Sequence, residues 1–263
     1  MSSAFNCHHR FLKERRIPPV HGARPRACFV VSLIGCLLGV SPCAWAHRED
    51  FLDETLVYVT LEKGELEPEY WLDTGSKREA DSTHHDGFFR HSVAVEYGVT
   101  DHWMLDARGS IRDARHEGIT FESGRLETRY RFFEEGDKPI DVAVSAEANT
   151  ERDAEGRQQP ALEPRLILSK DFAQLNCTLN LPEEIFVRSG ELAFVPSVGL
   201  RYNATQLLRV GAELRYNTHS HDDAVVPQIW FAFPHDLTLK LGYSFGFNHN
   251  EESFGRLVIE MAL

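Results

Sequence analysis

From about residue 65 to the end of the chain, apolar and polar side chains alternate one by one over segments of about ten residues, and no helical period competes. Trp103, Leu105, Ala107, Gly109 and Ile111 share one face, opposite Met104, Asp106, Arg108, Ser110 and Arg112. Leu208, Val210, Ala212, Leu214 and Tyr216 stand opposite Arg209, Gly211, Glu213, Arg215 and Asn217. Leu237, Leu239, Leu241, Tyr243, Phe245 and Phe247 stand opposite Thr238, Lys240, Gly242, Ser244, Gly246 and Asn248. Two architectures bury such faces. In a soluble sandwich the apolar faces of two sheets meet; in a membrane barrel they meet lipid and the polar faces line a lumen. Soluble strands usually run about five or six residues, whereas a tilted membrane strand needs about ten. Tyr97, Tyr130, Phe132, Tyr202, Tyr216, Tyr243 and Phe247 lie near strand ends on the apolar phase, where an interfacial girdle belongs. The polar faces hold closely spaced Arg and Glu, as a wet lumen does. The expected fold is therefore all-β, an antiparallel up-and-down transmembrane barrel.

Strands are predicted at 65–74, 87–98, 102–113, 118–133, 139–149, 160–170, 173–181, 190–203, 206–217, 223–233, 236–247 and 253–263, twelve in all. Tight connections at Gly98–Asp101, Glu134–Lys138, Lys170–Phe172, Ala204-Thr205 and Pro234-His235 alternate with longer polar ones at 75–86, 113–118, 150–159, 182–189, 217–223 and 248–252. Short periplasmic turns and longer external loops have this order. A strand-like piece at Thr55–Leu61 precedes the twelve. A thirteenth wall strand breaks the even parity, so this piece is expected outside the regular wall or inside the lumen.

The first 46 residues read as a secretory signal. Arg10, Lys13, Arg15, Arg16, Arg24 and Arg26 face one acid, Glu14; an apolar run from Cys28 to Val40 follows, and Ala44-Trp45-Ala46 offers a small-x-small cleavage site. An uncleaved anchor and a lipoprotein-type site at Leu33–Cys36 are the competing readings. The chain then divides into a signal peptide at 1–46, an N-terminal periplasmic or lumenal segment at 47–64 and an outer-membrane barrel at 65–263. Removing the leader takes the net charge from -12 to -17 and leaves Cys177 as the single cysteine, so no internal disulfide can form. That acidity excludes a general nucleic-acid binder. The expected partners are the lipid bilayer, the barrel-assembly machinery and a small solute.

The turn Tyr97-Gly98-Val99-Thr100-Asp101-His102-Trp103-Met104-Leu105 resembles the "YGxTDxxxL" signature of bacterial outer-membrane barrels grouped with transporters of the phenol-degradation meta-pathway type. The stretch from His47-Arg48-Glu49-Asp50-Phe51 through Glu69-Tyr70-Trp71 is similar to a group of uncharacterised outer-membrane proteins near that family. The resemblance implies a twelve-stranded barrel and a passive transporter in the bacterial outer membrane. It departs at Leu263, where such barrels usually end in an aromatic residue read by the assembly machinery.

On the lumen phase the basic positions are Arg108, Arg112, Arg125, Arg129, Arg131, Arg165, Arg201, Arg209, Arg215, Lys240 and Arg256. The acidic ones are Glu67, Glu69, Asp73, Glu96, Asp106, Glu127, Asp141, Glu147, Glu163, Glu213 and Glu260. Eleven against eleven reads either as a charged ladder that selects small polar solutes or as ion pairs that satisfy one another in a narrow barrel. Loop histidines His84, His85, His219 and His221, with Asp222 and Asp223, carry ligand types that suit Zn, Cu or Ni, against a reading as solvated loop residues. A divalent metal at these loops is the one cofactor the chain suggests. His91 and Ser92 are adjacent on a strand and point to opposite faces, so they cannot act as base and nucleophile. Nucleophile-elbow, phosphate-loop and dinucleotide motifs are absent, and no enzymatic activity is expected.

Overall fold

The computed structural model describes residues 50–78, 85–114, 118–152, 156–218, 223–247 and 252–263. Among them there is no helix. Thirteen strand segments form one antiparallel sheet: β1 Leu66–Arg78, β2 His85–Thr100, β3 Trp103–Ala114, β4 Gly118–Arg131, β5 Asp141–Arg152, β6 Gln158–Phe172, β7 Leu175–Phe186, β8 Leu192–Phe194, β9 Ser197–Asn203, β10 Leu208–Arg215, β11 Ala224–Phe233, β12 Leu237–Gly246 and β13 Glu252–Met261. Each segment pairs with its sequence neighbour, β7 pairs with both β8 and β9, and β1 pairs with β13 from Glu69↔Glu260 to Lys77↔Glu252. The sheet therefore closes on itself. The segments β8 and β9 are two pieces of one wall strand, predicted as a single run at 190–203. Pro196 lies in the gap; it has no N–H to donate, and the ladder lapses there. The barrel has twelve staves.

Alternation decides which way each side chain points. Leu105, Ile111, Leu126, Val144, Leu162, Leu166, Val198, Leu200 and Leu214 are exposed on the outer wall, while Asp106, Glu127, Ser145, Arg165 and Glu213 are buried on the inner one. All seven aromatics assigned to the girdle are exposed, and Trp103 joins them. Closure of the sheet leaves no free edge, so the ladder N–H and C=O groups find their partners on neighbouring strands rather than in water.

Connection lengths alternate less strictly than expected. β3 and β4 stay paired out to Ala114↔Gly118, leaving three residues between them, whereas Phe132–Ile140 is a nine-residue turn at the opposite end. Pro139 breaks pairing in that turn, and Asp141 Oδ1 accepts from Gly136 N at 3.0 Å instead. The β11–β12 hairpin has three residues between the paired Phe233 and Leu237, and two of them, His235 (φ 69°) and Asp236 (φ 54°), are left-handed. The turn that carries the family-like signature has its own steric reason. A Cβ on Gly98 would stand 1.9 Å from the carbonyl oxygen of Glu62, where the N-terminal segment crosses the β2–β3 turn.

Candidate functional site

The segment predicted at Thr55–Leu61 lies inside the lumen. Phe51, Leu52, Thr55, Leu56, Val57, Tyr58, Val59, Thr60 and Leu61 are all buried, though none belongs to the sheet. The chain leaves the start of β1, enters by the turn end where Thr60 Oγ1 donates to the Asp101 carbonyl at 2.8 Å, and runs inward. It reverses at residues 51–55, where Phe51 N donates to the Thr55 carbonyl at 3.0 Å.

A buried backbone outside a sheet needs other partners, and wall side chains supply them. Gln228 accepts from Leu52 N at 2.9 Å. The Glu213 carboxylate accepts from three successive amides, Asp53, Glu54 and Thr55. Asn180 imitates a strand, accepting from Leu56 N at 3.0 Å and donating to Leu56 O at 2.9 Å. Lys240 donates to Asp50 O at 2.9 Å, Arg129 to Val57 O at 3.0 Å, Arg256 to Leu52 O and Arg165 to Glu54 O.

Around β9–β12 the wall also meets the segment by packing. Phe51 stands edge-on to Trp230, with ring centroids 5.7 Å apart at 82°. Space for the two apolar side chains comes from wall glycines. A Cβ on Gly199 would lie 2.4 Å from the Phe51 ring, and one on Gly242 would lie 2.5 Å from Leu52 Cδ1. Phe51, Leu56, Val57, Tyr58 and Val59 share one cluster with Ala143, Ile167 and Trp230, and Leu52 sits in another with Trp71, Val226 and Val258.

Around β1–β6 the wall is charged, and the register orders the charges. Glu67 is paired across strands with Glu96, Glu96 with Asp106, Asp106 with Glu127, Glu127 with Glu147 and Glu147 with Glu163. Directly opposed like charges destabilise a sheet. Flanking rows of arginine offset that repulsion, Arg108 and Arg125 on one side, Arg129 and Arg165 on the other. Arg125 reaches Asp106 at 2.9 Å, Glu147 at 3.6 Å and Glu127 at 3.9 Å. Arg129 clamps Asp50 with two nitrogens at 3.0 and 2.7 Å and holds Glu127 at 3.1 Å. Burial would raise the Asp50 carboxyl, but the charge and hydrogen bonds of Arg129 outweigh it and hold Asp50 below its usual value. Glu54 is likewise held low against burial by Arg165 and Arg215. At Asp53 burial outweighs Arg215 and, with Glu54 beside it, the carboxyl is raised.

Toward the loop end, beyond the reversal, a cavity of about 460 Å³ remains, with Asp53 and Glu54 on its surface. Arg90, Arg108, Arg125, Arg152, Arg215 and Arg256 line it, with Glu122, Glu147, Glu151, Glu163 and Glu184. Arg108 stacks over the Trp71 ring at 3.8 Å and Arg256 approaches it at 5.0 Å.

The structure distributes the sequence-derived lumen residues between this cavity and the segment. Arg108, Glu147, Arg215 and Arg256 border the cavity. Asp106, Glu127, Arg129, Arg131, Arg165, Arg201, Arg209, Glu213, Lys240 and Glu260 are buried, and Arg112 pairs with Glu122 at 3.3 Å. Arg201 lies 5.9 Å from both the Phe51 and Trp230 rings. His84, His219 and His221 lie outside the described residues, as do Asp222 and the leader; His85 opens β2, and its side chain is likewise outside the description. Ser92 is turned inward onto Ser110 at 2.8 Å, while His91 meets the hydroxyl of Tyr70, exposed on the outer wall, at 2.7 Å. Three inward residues of consequence escaped the sequence reading. Arg90 and Trp71 were legible, being in phase with Glu96 and with Glu69 and Asp73. Trp230 was not, because Ala224–Phe233 is apolar on both faces.

No protein-family model and no curated protein matches the chain. Solved structures match it in fold. A NanC porin structure superposes with a TM-score of 0.53 and 13% identity, over 75% of this chain and 100% of that one. A KdgM porin in complex with disordered oligogalacturonate gives 0.52 and 8%, over 75% and 98%. An outer-membrane channel from Pseudomonas putida F1 gives 0.49 and 14%, over 78% and 97%. Identities this low speak for the fold alone. The chain has the fold of an outer-membrane β-barrel, its exposed apolar wall faces lipid, and the two together support a location in the bacterial outer membrane.

Proposed function

We propose that this barrel serves passive passage or binding of small polar solutes, with its own N-terminal segment as the gate. The carrying observation is the polar cavity of about 460 Å³ that ends on Asp53 and Glu54 of that segment. A solute entering from the loop end meets paired arginines and carboxylates, polar enough to replace water and too well paired to trap one sign of charge. Passage to the turn end requires the segment to shift. No residue of the cavity takes the part of an activated nucleophile in this reading. The finer kinship with transporters of the phenol-degradation meta-pathway type, cleavage after Ala46, and recognition by the assembly machinery belong to the same proposal.

The second reading is a closed structural barrel, and the number of wall side chains that hold the segment favours it. Planar-bilayer recording of the full chain and of a variant lacking residues 50–61 decides between them. The expected result is low conductance for the full chain and stable, larger openings for the variant. A folded variant that stays silent, with no solute uptake into liposomes, overturns the passage reading and leaves the structural one. Metal handling by the loop histidines is a separate test, by titration of the His219→Ala, His221→Ala double variant with Zn, Cu and Ni.

A further inference from the structure

The row of carboxylates that crosses the charged half is flanked by arginine only over part of its length. At the turn end of β1, β2 and β13 the flanking stops. Glu67 is paired in register with Glu96, and Glu69 with Glu260, so four inward carboxylates meet on three neighbouring strands. Two cations answer them among the described residues: Arg108 holds Glu69 at 2.9 Å, and Lys240 forms an ion pair with Glu260. Two negative charges are left over, on Glu67 and Glu96.

Glu96 is the independent sign that something is missing. It is 7% exposed, it makes no hydrogen bond or ion pair among the described residues, and its carboxylate points at the other two. An isolated buried carboxylate is costly unless paired, metal-bound or neutralised. The oxygens of Glu67, Glu69 and Glu96 lie within 4.8 Å of one another. Oxygens that close can share one cation, and three carboxylates with no rigid octahedral frame suit the flexible, oxygen-rich shell of Ca²⁺, whereas Mg²⁺ keeps several waters and usually takes one or two carboxylates. The donors are all carboxylate oxygen, which suits a hard cation and gives nothing to Zn or Cu.

We propose that Glu67, Glu69 and Glu96 bind one divalent cation, Ca²⁺ in preference to Mg²⁺, at the turn end of the lumen. The ion neutralises the two leftover charges and ties β1 to β2 beside the point where the N-terminal segment enters. The site is separate from the loop-end cavity and does not depend on solute passage.

Trp71 provides the probe. Its indole Nε1 donates to Glu69 Oε2 at 2.7 Å, so an ion on Glu69 lies close enough to be excited through the ring. The experiment titrates the folded, detergent-purified full chain with Tb³⁺ and reads emission sensitised by tryptophan. Saturable emission is expected, displaced by Ca²⁺ at about tenfold lower concentration than by Mg²⁺. The Glu67→Gln, Glu96→Gln double variant should lose about tenfold or more in affinity, while Glu151→Gln with Glu184→Gln in the cavity leaves it unchanged. Heat-modifiable migration confirms that each variant is folded, and calorimetry with Ca²⁺ on the Glu67→Gln single variant repeats the test should the double variant fail to fold. Absence of saturable emission means that protons neutralise the pair, and overturns the proposal. Emission that persists in the folded double variant belongs to other carboxylates and overturns it equally.

Discussion

The two halves of the lumen wall hold the same segment by different mixtures of contacts. Along β1–β6 the inner face is a stack of carboxylate and arginine rows, and the segment is fixed by ion pairs such as Arg129 with Asp50 and Arg165 with Glu54. Along β9–β12 hydrogen bonds with Glu213, Gln228 and Lys240 are joined by a fit of shape, with Phe51 and Leu52 in hollows left by Gly199 and Gly242. The difference separates position from affinity. Buried ion pairs recover little net free energy over their desolvation, yet they punish any other arrangement severely. Apolar packing rewards burial, and in hollows this close it also resists displacement of the side chains that fill them. The ion pairs chiefly penalise wrong positions, and the packed hollows add the favourable burial.

The largest expected effect comes from breaking the charged side. Arg129→Met removes the partner of both Asp50 and Glu127 and should weaken segment docking by about 3–5 kcal/mol, because it strands buried carboxylates. Protease cleavage within residues 50–61 of the still-folded barrel measures it, and protection equal to that of the unaltered chain refutes the positional role. Breaking the packed side should cost less. Gly199→Val places methyl groups where Phe51 now lies, and overpacking of this kind typically costs about 1–3 kcal/mol. The same protease assay applies; if Gly199→Val exceeds Arg129→Met, the division of labour is reversed.

The smallest effect is one of pH at the turn end. Burial, then the neighbouring Asp171 carboxylate with which it shares a hydrogen bond, lift the Glu135 carboxyl in the Phe132–Ile140 turn to about 7, from a usual value near 4.5. A raised carboxyl keeps its proton in the folded form after the unfolded chain has lost it. Its stabilisation is therefore full below about 4.5 and disappears as pH rises toward 7. Thermal midpoints should fall from pH 5 to pH 8, and Glu135→Gln should flatten that dependence. An unchanged slope in the variant assigns it to other groups.

The staves and their orientation were legible because lipid enforces alternation at every position, and Leu105 has no alternative to facing out while Asp106 faces in. Thr55–Leu61 was legible as a surplus strand, since an even wall has no place for it. The partition of charges was only half legible. Alternation names the face of Glu67, Glu96 and Asp106 but not their register, and only register makes them a row. The repeated acid-x-Arg spacing of Asp106-x-Arg108, Glu127-x-Arg129, Glu163-x-Arg165 and Glu213-x-Arg215 was the available signal for layered pairing. The glycine hollows were hidden for another reason. Gly199 and Gly242 sit on the inner phase like any small residue, and their meaning depends on Phe51 and Leu52, more than 140 positions away.

That distance in sequence also sets an order in time. Leu52 donates its amide to Gln228, 176 residues later in the chain, and its carbonyl is met by Arg256, 204 residues later. While the chain is being made from its N-terminus, the segment has no finished pocket to enter. Its partners on β11 and β13 appear among the last residues, and the seam between β1 and β13 closes at the same stage. Docking of the N-terminal segment is thus a late event of barrel biogenesis, and a chain arrested before β11 would carry it undocked.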